Sequence, residues 1–335
     1  MIPFSKHRRK ATFVLGAAIA ALGTAGVPTS TLAQEAWPSK TITLIVPHAA
    51  GGPVDSVGRF LAEKLRTELK QNVVVDNRAG ASSMIGAAYV AGAAPDGYTL
   101  YINASIHSIN PLLYKKSMKY DAVKDFTPIG MMAQGPLLFV VNPQVPATTA
   151  REFAALVQAN PKRYTFATGG FGAADHLASA YFLHEIKQAN IPIALYKGGA
   201  PALSDLMGGQ VSAKMDAIIT SMPLVKGGKV KALAITSRTR SALLPDVPTM
   251  QESGFKDFEF YSWYGLWAPA KLPTAIQQRL EGALQRIVTT PEWKERMAAQ
   301  GFEAVYRNGA DFARFIDSEM NRYQTIITAA DIKAD

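Results

Sequence analysis

The sequence has 335 residues, with 35 lysines and arginines, 26 aspartates and glutamates and no cysteine, which gives a net charge of +9. This length exceeds the roughly 250–300 residues that one hydrophobic core usually serves, so we expect two domains, and a hydrophobic content of 48% excludes a disordered chain. The lack of cysteine excludes disulfide frameworks, thiol nucleophiles, cysteine-ligated zinc and iron–sulfur clusters.

The first 33 residues have the three parts of a secretory signal peptide. Basic residues between Lys6 and Lys10 precede an apolar run over residues 11–26, and Thr31-Leu32-Ala33 supplies the small residues of a cleavage site after Ala33. The apolar run is shorter than the ~20 residues that span a bilayer, which disfavours a membrane anchor. We therefore predict a periplasmic protein whose mature chain is not inserted in a membrane.

Part of the positive charge belongs to this N-terminal segment. Its cleavage would lower the net charge from +9 to +5. The rest of the chain has no basic stripe interleaved with aromatic residues, so we expect no nucleic-acid partner.

Strand-like and helix-like segments alternate from residue 38 onwards. In the first part of the chain, β-branched apolar runs predict strands over residues 41–46, 72–76 and 98–102. Apolar residues at helical spacing from Val54 to Leu65 predict a helix with Pro53 as its first residue. Strand, helix and strand in this order imply a parallel sheet with right-handed crossovers.

The second part of the chain repeats this alternation. The predicted strands are residues 164–167, 193–196, 211–217 and 230–236. The predicted helices are residues 147–159, 173–188, 200–207, 274–289, 291–300 and 310–330. The chain therefore contains two α/β units, each with its own strand, glycine-containing loop and helix.

Two extended apolar segments, residues 135–146 and 258–269, are predicted to connect these units. The chain would then leave the first domain, build the second and return. We predict a first domain of residues 34–136 plus 258–335, a second domain of residues 137–257, and a ligand cleft between them. The aromatic residues of the second segment are expected to pack in the core and hinge.

Two loops carry the pattern of an anion site. Residues 47–55 and 168–175 each follow a predicted strand, contain glycines and lead into a helix. The free N–H groups and positive dipole end of a helix N-terminus favour an anion, most simply a carboxylate. The alternative interpretation is that the glycines only turn the chain.

The second loop resembles a dinucleotide-binding turn, but it departs from that motif. Asp175 stands where the motif has glycine or alanine, and Lys197 follows the next strand in place of an acidic residue. We therefore expect no nucleotide cofactor.

Histidines and aspartates near these loops are candidates for chemistry. His48, His107 and His176 could form a metal site or a catalytic base, but the sequence has no His-Glu-x-x-His or Gly-x-Ser-x-Gly pattern. We predict no catalytic residue, no metal and no cofactor. Asp55 and Asp216 could accept hydrogen bonds from a ligand amine, a ligand hydroxyl or ordered water, although an acid in a first helical turn is ordinarily structural.

Several ordered sequence blocks carry a family resemblance. They are Trp37-Pro38-Ser39-Lys40, Gly51-Gly52-x-x-Asp55, Val74-Val75-Asp76-Asn77-Arg78-Ala79-Gly80, Ala94-Pro95-Asp96-Gly97-Tyr98-Thr99, Tyr196-Lys197-Gly198, Gly208-Gly209-Gln210-Val211, Leu244-Pro245-Asp246-Val247-Pro248-Thr249 and Ser262-Trp263-Tyr264-Gly265. With these blocks the chain resembles the Bug-type extracytoplasmic substrate-binding receptors of tripartite tricarboxylate transporters, from about residue 37 to the C-terminus.

The resemblance implies an α/β, two-lobed periplasmic binding protein of the type II-like, Venus-flytrap kind. Two Rossmann-like lobes would be joined by a two-strand hinge and would close on a small carboxylate. The partners implied are the membrane subunits of a tripartite tricarboxylate-type transporter, and the protein itself is expected to be a monomer. A secreted hydrolase that uses a cleft histidine, and a ligand sensor for a signalling partner, are the alternatives.

The resemblance also implies which residues bind the ligand. The first loop would hold a carboxylate, partly through bridging waters, and Asp216 would lie on the opposite wall. The expected ligand-binding residues are His48, Gly51, Gly52, Val54, Asp55, Ser105, His107, Thr168, Gly169, Phe171, Ala173, Ala174, Asp175, His176 and Asp216.

Some positions depart from the family pattern. His48-Ala49-Ala50 replaces an aromatic residue and two prolines, and Pro53 removes one N–H donor. In the second loop, Phe171 replaces a polar residue, while Ala173 and Ala174 replace hydroxyl residues. These changes predict a less polar carboxylate, aromatic acids included, rather than a citrate-like polyanion.

Overall fold

The computed structural model describes residues 37–334, so the predicted signal peptide lies outside the described residues. These described residues form one compact unit, within which we refer to the two predicted α/β units. The strands are β1 (Ile42–Val46), β2 (Val73–Asn77), β3 (Thr99–Ala104), β4 (Phe126–Val141), β5 (Phe166–Thr168), β6 (Ile193–Leu195), β7 (Ala213–Ala217), β8 (Lys231–Ile235), β9 (Tyr261–Pro269) and β10 (Glu303–Asn308).

The helices are distributed along the whole of this range. They are α1 (Pro53–Leu69), α2 (Met84–Ala91), α3 (Ile106–Leu113), α4 (Ala150–Ala159), α5 (Ala174–Glu185), α6 (Gly199–Met207), α7 (Ile218–Lys226), α8 (Thr274–Thr289), α9 (Pro291–Ala299) and α10 (Gly309–Ala329), with a short 3₁₀ helix at Pro161–Arg163. Within residues 37–334, no helix combines the length and the apolar character that crossing a bilayer requires.

The strands pair in the order β2-β1-β3-β9-β4-β7-β5-β6, with β8 and β10 also paired to β4. β1 is parallel to β2 and β3, and β5 is parallel to β6 and β7, as the strand–helix–strand alternation predicts. The two long strands β4 and β9 are antiparallel to each other and to their other neighbours. The sheet is therefore mixed, whereas the sequence predicted only parallel pairing.

Strand β4 links the two α/β units. Its residues from Phe126 to Pro136 pair with β9, and its residues from Leu137 to Val141 pair with β7. The change of partner falls where the sequence placed the boundary between the first and second domains. Both predicted segments contain strand residues, but β9 pairs mainly with residues before the first segment, and the two segments meet only at Gly135 and Pro136. The domain limits are a proposal.

Five elements were not predicted from the sequence. α3 and α7 contain Pro111 and Pro223, which sequence reasoning treats as helix breakers. α2 is apolar on all sides and has almost no helical periodicity to detect. β10 and the first half of β4 depend on their pairing with each other and with β9, which the sequence pattern does not show.

Aromatic side chains fill the core on both sides of the point where β4 passes from the first α/β unit to the second. Phe139, on β4, packs edge-to-face against Phe153 and Phe182, with ring centroids 5.3 and 4.9 Å apart. Trp263 and Trp267 of β9 are about 1% exposed and pack against Phe312 of α10. The two tryptophans of the aromatic segment predicted to pack in the core and hinge are therefore buried in the core.

Candidate ligand-binding site

A cavity of about 60 Å³ lies between the helix N-termini of the two units, and we call it the inner cavity. It is several times larger than the roughly 10–15 Å³ that one water requires. A second cavity of about 190 Å³, the outer cavity, shares His48 and Gly169 with it. The outer cavity is lined by Ser82, Tyr114, Phe171 and Lys197 among others.

Five helices begin at the inner cavity, and none of them has a side-chain cap. The residues at these helix starts that line the cavity are Pro53 and Val54 of α1, Ser105 and Ile106 of α3, Ala173 and Ala174 of α5, Gly199 of α6, and Ala217 of α7. In contrast, α4, α9 and α10 begin away from the cavity, and Thr149, Thr290 and Asn308 cap them by accepting a backbone hydrogen bond. Uncapped N–H groups and positive dipole ends therefore converge on the inner cavity.

Asp55 holds the first loop in shape from inside the protein. Its carboxylate accepts hydrogen bonds from Gly51 N (2.8 Å), Arg59 Nε (2.9 Å) and Asn77 Nδ2 (2.9 Å). Asn77 also donates to the His48 carbonyl at 3.0 Å, which ties β2 to the loop. Burial alone would raise the pKa of Asp55, but these donors outweigh it and hold the pKa below its usual value.

His48 lines both cavities as a neutral side chain. Its Nε2 lies 3.0 Å from Asn103 Oδ1, which also accepts from Ala104 N at 2.8 Å. Because that amide oxygen is an acceptor, Nε2 of His48 donates to it. Burial lowers the pKa of His48, so the imidazole brings no positive charge to the site.

A cluster of three buried charges forms the opposite wall. Lys214 Nζ donates to Asp175 Oδ2 and lies 3.3 Å from Asp216 Oδ1. Asp175 also accepts from Gly169 N at 2.7 Å, and Asp216 accepts from the Thr220 hydroxyl at 2.7 Å. Both aspartates line the inner cavity, whereas Lys214 lies behind them.

The pKa values of the two aspartates move in opposite directions. Burial raises the pKa of Asp216 and outweighs the stabilising charge of Lys214. At Asp175 the same burial effect is exceeded by Lys214 and the Gly169 N–H, so its pKa is lowered. The negative charge of Asp216 is therefore less completely balanced than that of Asp175.

The structure brings together more than half of the predicted ligand-binding residues. Those lining the inner cavity are His48, Val54, Ser105, Gly169, Ala173, Ala174, Asp175 and Asp216, while Phe171 lines the outer cavity. The predicted residues that line neither cavity are Gly51, Gly52, Asp55, His107, Thr168 and His176.

His107 and His176 are buried within the protein. His107 packs against Phe126 and Trp267, with ring centroids 4.6 and 4.8 Å apart, and its Nε2 bonds the Ala122 carbonyl at 3.0 Å. Burial lowers the pKa of both histidines to about 4. The contacts of His107 are those of a packed core histidine, whereas His176 packs against Phe171 of the outer cavity, with ring centroids 4.3 Å apart.

Sequence reasoning missed several residues of the site. They are Pro53, Ala104, Ile106, Leu137, Gly199, Ala217, Ser262 and Tyr264 in the inner cavity, and Ser82, Tyr114, Tyr196 and Lys197 in the outer cavity. Two blocks that carried the family resemblance, at residues 196–198 and 262–265, contain some of them. The apolar ones gave no signal, because an alanine or leucine looks the same in a core and in a cavity wall.

Comparisons with known proteins agree with this arrangement. The family model described as "Tripartite tricarboxylate transporter family receptor" matches residues 57–332. A curated relative from Agrobacterium vitis, the UPF0065 protein in the TAR-I ttuE-ttuC' intergenic region, is 35% identical over 316 residues, which cover 93% of this chain and 91% of the relative.

Solved structures show the same fold. The periplasmic binding protein BugD is 35% identical, with a TM-score of 0.85 over 89% of this chain and 99% of that one. Rpa4515 of R. palustris, solved with adipate, is 32% identical, with a TM-score of 0.86 over 89% and 99%. The predicted two-lobed α/β fold of a periplasmic binding protein is therefore confirmed.

The family match also decides between the functional alternatives. The matched family is one of substrate-binding receptors and not of enzymes, and the comparisons support neither the hydrolase nor the sensor. The predicted Bug-type resemblance is confirmed by the family model and by the BugD structure. The chain belongs to the periplasmic receptor family of the tripartite tricarboxylate transporters.

Proposed function

We propose that this receptor binds a small carboxylate in the inner cavity, with the carboxylate group directed at the open helix N-termini. The observation that carries the proposal is the convergence of five uncapped helix N-termini on one cavity. Among residues 37–334, no lysine or arginine lines the inner cavity. Backbone N–H groups and helix dipoles are then the groups that would attract the anion.

The lining favours an acid of low charge. Val54, Ile106, Leu137 and several alanines supply most of the apolar wall. Asp175, Asp216 and Lys214 together carry a net charge of −1, which would repel the additional charges of a polyanion. A monocarboxylate with a compact apolar body suits this wall better than a citrate-like ligand. An aromatic ring needs a cavity of about 150 Å³, so the ring of an aromatic acid would extend into the adjoining outer cavity.

Closure of the two units would enclose the ligand. A Cβ added at Gly198 would lie 3.3 Å from the Cβ of Ala49, and one at Gly199 would lie 3.3 Å from Cδ of Pro53. The start of α6 therefore touches the first loop across the cavity. A ligand that contacts both sides would bind this closed form best and increase its population.

A ligand panel tests the proposal by calorimetry and thermal unfolding. We expect benzoate and short aliphatic acids to bind more tightly than malate and citrate, and benzamide, which lacks the negative charge, to bind weakly. A ligand at 100 times its dissociation constant should add about 2.7 kcal/mol to the free energy of unfolding. Stabilisation by citrate alone, or equal binding of benzoate and benzamide, would contradict the proposal.

The finer statements on location and partners are also proposals. We infer that the chain is exported, cleaved after Ala33, and delivers its ligand as a monomer to the membrane subunits of a tripartite tricarboxylate-type transporter. The signal-peptide pattern at residues 1–33 and the family match support this. The intact mass of periplasmic protein should correspond to a chain that begins at Gln34, and a mass that includes residues 1–33 would exclude cleavage.

A further inference from the structure

The charged cluster in the wall of the inner cavity has an unbalanced negative charge. Lys214 is fully buried, and Asp216 is 1% exposed. One lysine faces two aspartates, so the cluster carries a net charge of −1. A buried charge without compensation is costly, and proteins normally pair it or neutralise it.

The two aspartates differ in how completely their oxygens are used. Asp175 accepts from Gly169 N, His176 N and Lys214 Nζ. Asp216 accepts from Lys214 Nζ and the Thr220 hydroxyl. A carboxylate has about four acceptor positions, so Asp216 keeps unused capacity. Because Asp216 lines the inner cavity, that capacity is available to a ligand.

The other polar groups of the cavity do not supply the missing positive charge. His48 is neutral, because burial lowers its pKa. Tyr264 accepts a hydrogen bond from the Ser262 hydroxyl at 2.9 Å, and burial raises the pKa of its phenol, so it too stays neutral. Burial likewise raises the pKa of Asp216, as expected for a carboxylate whose charge is incompletely balanced.

A separate observation indicates that the inner cavity is suited to a polar ligand. Ser105 lines the same cavity, and its buried hydroxyl makes no hydrogen bond to any described residue. Buried hydroxyls are normally satisfied, so an unpaired one on a residue of the cavity wall indicates a missing polar partner. Ser105 also stands at the uncapped start of α3, beside the open N–H groups.

We propose that the ligand is a zwitterion: a small acid whose carboxylate meets the open helix N-termini and Ser105, and whose protonated amine donates to Asp216. The ammonium group of such a ligand balances the charge of −1 on the cluster, and the helix N-termini stabilise its carboxylate. This inference rests on the proposed function and narrows its substrate class to amino acids. An ammonium group has three N–H donors. One of them bonds Asp216, and the other two are left for other polar groups of the cavity wall.

Matched pairs of acids test the proposal by isothermal titration calorimetry. Each pair differs only in the amine: propanoate and 3-aminopropanoate, butanoate with 2- and 4-aminobutanoate, and hexanoate with 6-aminohexanoate. We expect at least one amino acid to bind ten times or more tightly than its unsubstituted partner. If the unsubstituted acids bind and no amino acid binds more tightly, this inference is wrong while the proposed function stands; if no acid binds, both fail.

A substitution then assigns the preference to Asp216. Asp216→Asn keeps the shape and removes the charge, and it should reduce the preference for the amino acid over its unsubstituted partner at least tenfold. Asp317→Asn, at an exposed position on α10, is the matched control and should keep the preference. Retained preference in Asp216→Asn would overturn the assignment.

Two further measurements keep the test decisive. If Asp216→Asn does not fold, the pair comparison on the wild-type protein decides alone. Titrations in buffers of different ionisation heat show whether binding takes up a proton. Tight binding of an unsubstituted acid with uptake of one proton would mean that a proton neutralises Asp216, and this would overturn the inference.

Discussion

At the scale of single residues, Asp55 shows how contacts change the interpretation of a sequence motif. The sequence suggested that this aspartate faces the ligand, yet its oxygens bond Gly51, Arg59 and Asn77, and it lines neither cavity. Gly51 has a φ of 80°, a conformation that glycine adopts readily, and its N–H donates to Asp55. The glycine and the aspartate of the motif therefore act together to shape the loop.

We predict that Asp55→Ala lowers both the free energy of unfolding and ligand affinity. The loss of stability should be about 1–3 kcal/mol, because buried donors lose their acceptor. Chemical denaturation and calorimetry measure the two effects. Asp76→Ala is the control: its half-exposed pair with Arg78 should contribute less than about 1 kcal/mol. Lost binding at full stability would instead give Asp55 the direct ligand role predicted from the sequence.

The buried histidines make a prediction about pH. Burial lowers the pKa values of His48, His107 and His176, the last two to about 4. The unfolded chain therefore binds more protons below about pH 6.5, and stability should fall as the pH drops from 6.5 towards 4. Each histidine contributes up to about 1.4 kcal/mol per pH unit. Asp216, whose pKa is raised, acts in the opposite direction at the lower end of this range.

Urea midpoints measured between pH 7 and pH 4 would check this dependence. His107→Phe should flatten the curve, since it removes one of the three titrating groups, although it leaves the Ala122 carbonyl unpaired at every pH. Equal slopes for wild type and His107→Phe would show that His107 does not contribute.

At the scale of elements, the starts of the helices decide the chemistry of the site. Helices that begin at the inner cavity lack side-chain caps, and α4, α9 and α10, which begin elsewhere, have them, whereas α2 and α8 begin elsewhere without caps. A cap occupies N–H groups that an anion would use, so the uncapped starts at the cavity keep these groups available to a ligand.

We predict that Gly199→Ala weakens ligand binding by about tenfold without lowering the stability of the unliganded protein. The added Cβ would lie 3.3 Å from Cδ of Pro53, so it would oppose closure, and crowding of this kind typically costs about 1–3 kcal/mol. Gly208→Ala, at the other end of α6, is the matched control and should bind normally. Unchanged affinity in Gly199→Ala would mean that this contact is not part of the liganded form.

At the scale of the whole molecule, β4 and β9 make the two units one protein. The two strands pair along the full length of β9, and β4 then continues into the second unit. The loops around the inner cavity touch across the cleft, as the approach of Gly198 to Ala49 shows.

We predict that ligand binding makes the molecule more compact. Small-angle X-ray scattering should give a smaller radius of gyration with a saturating ligand than without it, because binding increases the population of the closed form. The same ligand added to Gly199→Ala should produce a smaller change at equal saturation. Identical scattering curves for the free and liganded wild-type protein would indicate two units that do not move.

The sequence alone was sufficient for the local features. β-Branched runs, helical periodicity and glycine loops are properties of neighbouring residues, and they located most strands, most helices and both strand-to-helix loops within a few positions. The helix over residues 274–289 is observed with the predicted limits. The ordered motif blocks identified the family before any contact was known.

Only the tertiary structure decided which of these residues meet. Lys214 lies 39 positions from Asp175, and Asn103 lies 55 positions from His48, so no local pattern could pair them. Other tertiary contacts place His107 in an aromatic core and Asp55 inside its loop, away from the cavity. Burial and the balance of charge depend on how distant segments pack, and for this reason the charged wall at Asp216 became visible only in the folded protein.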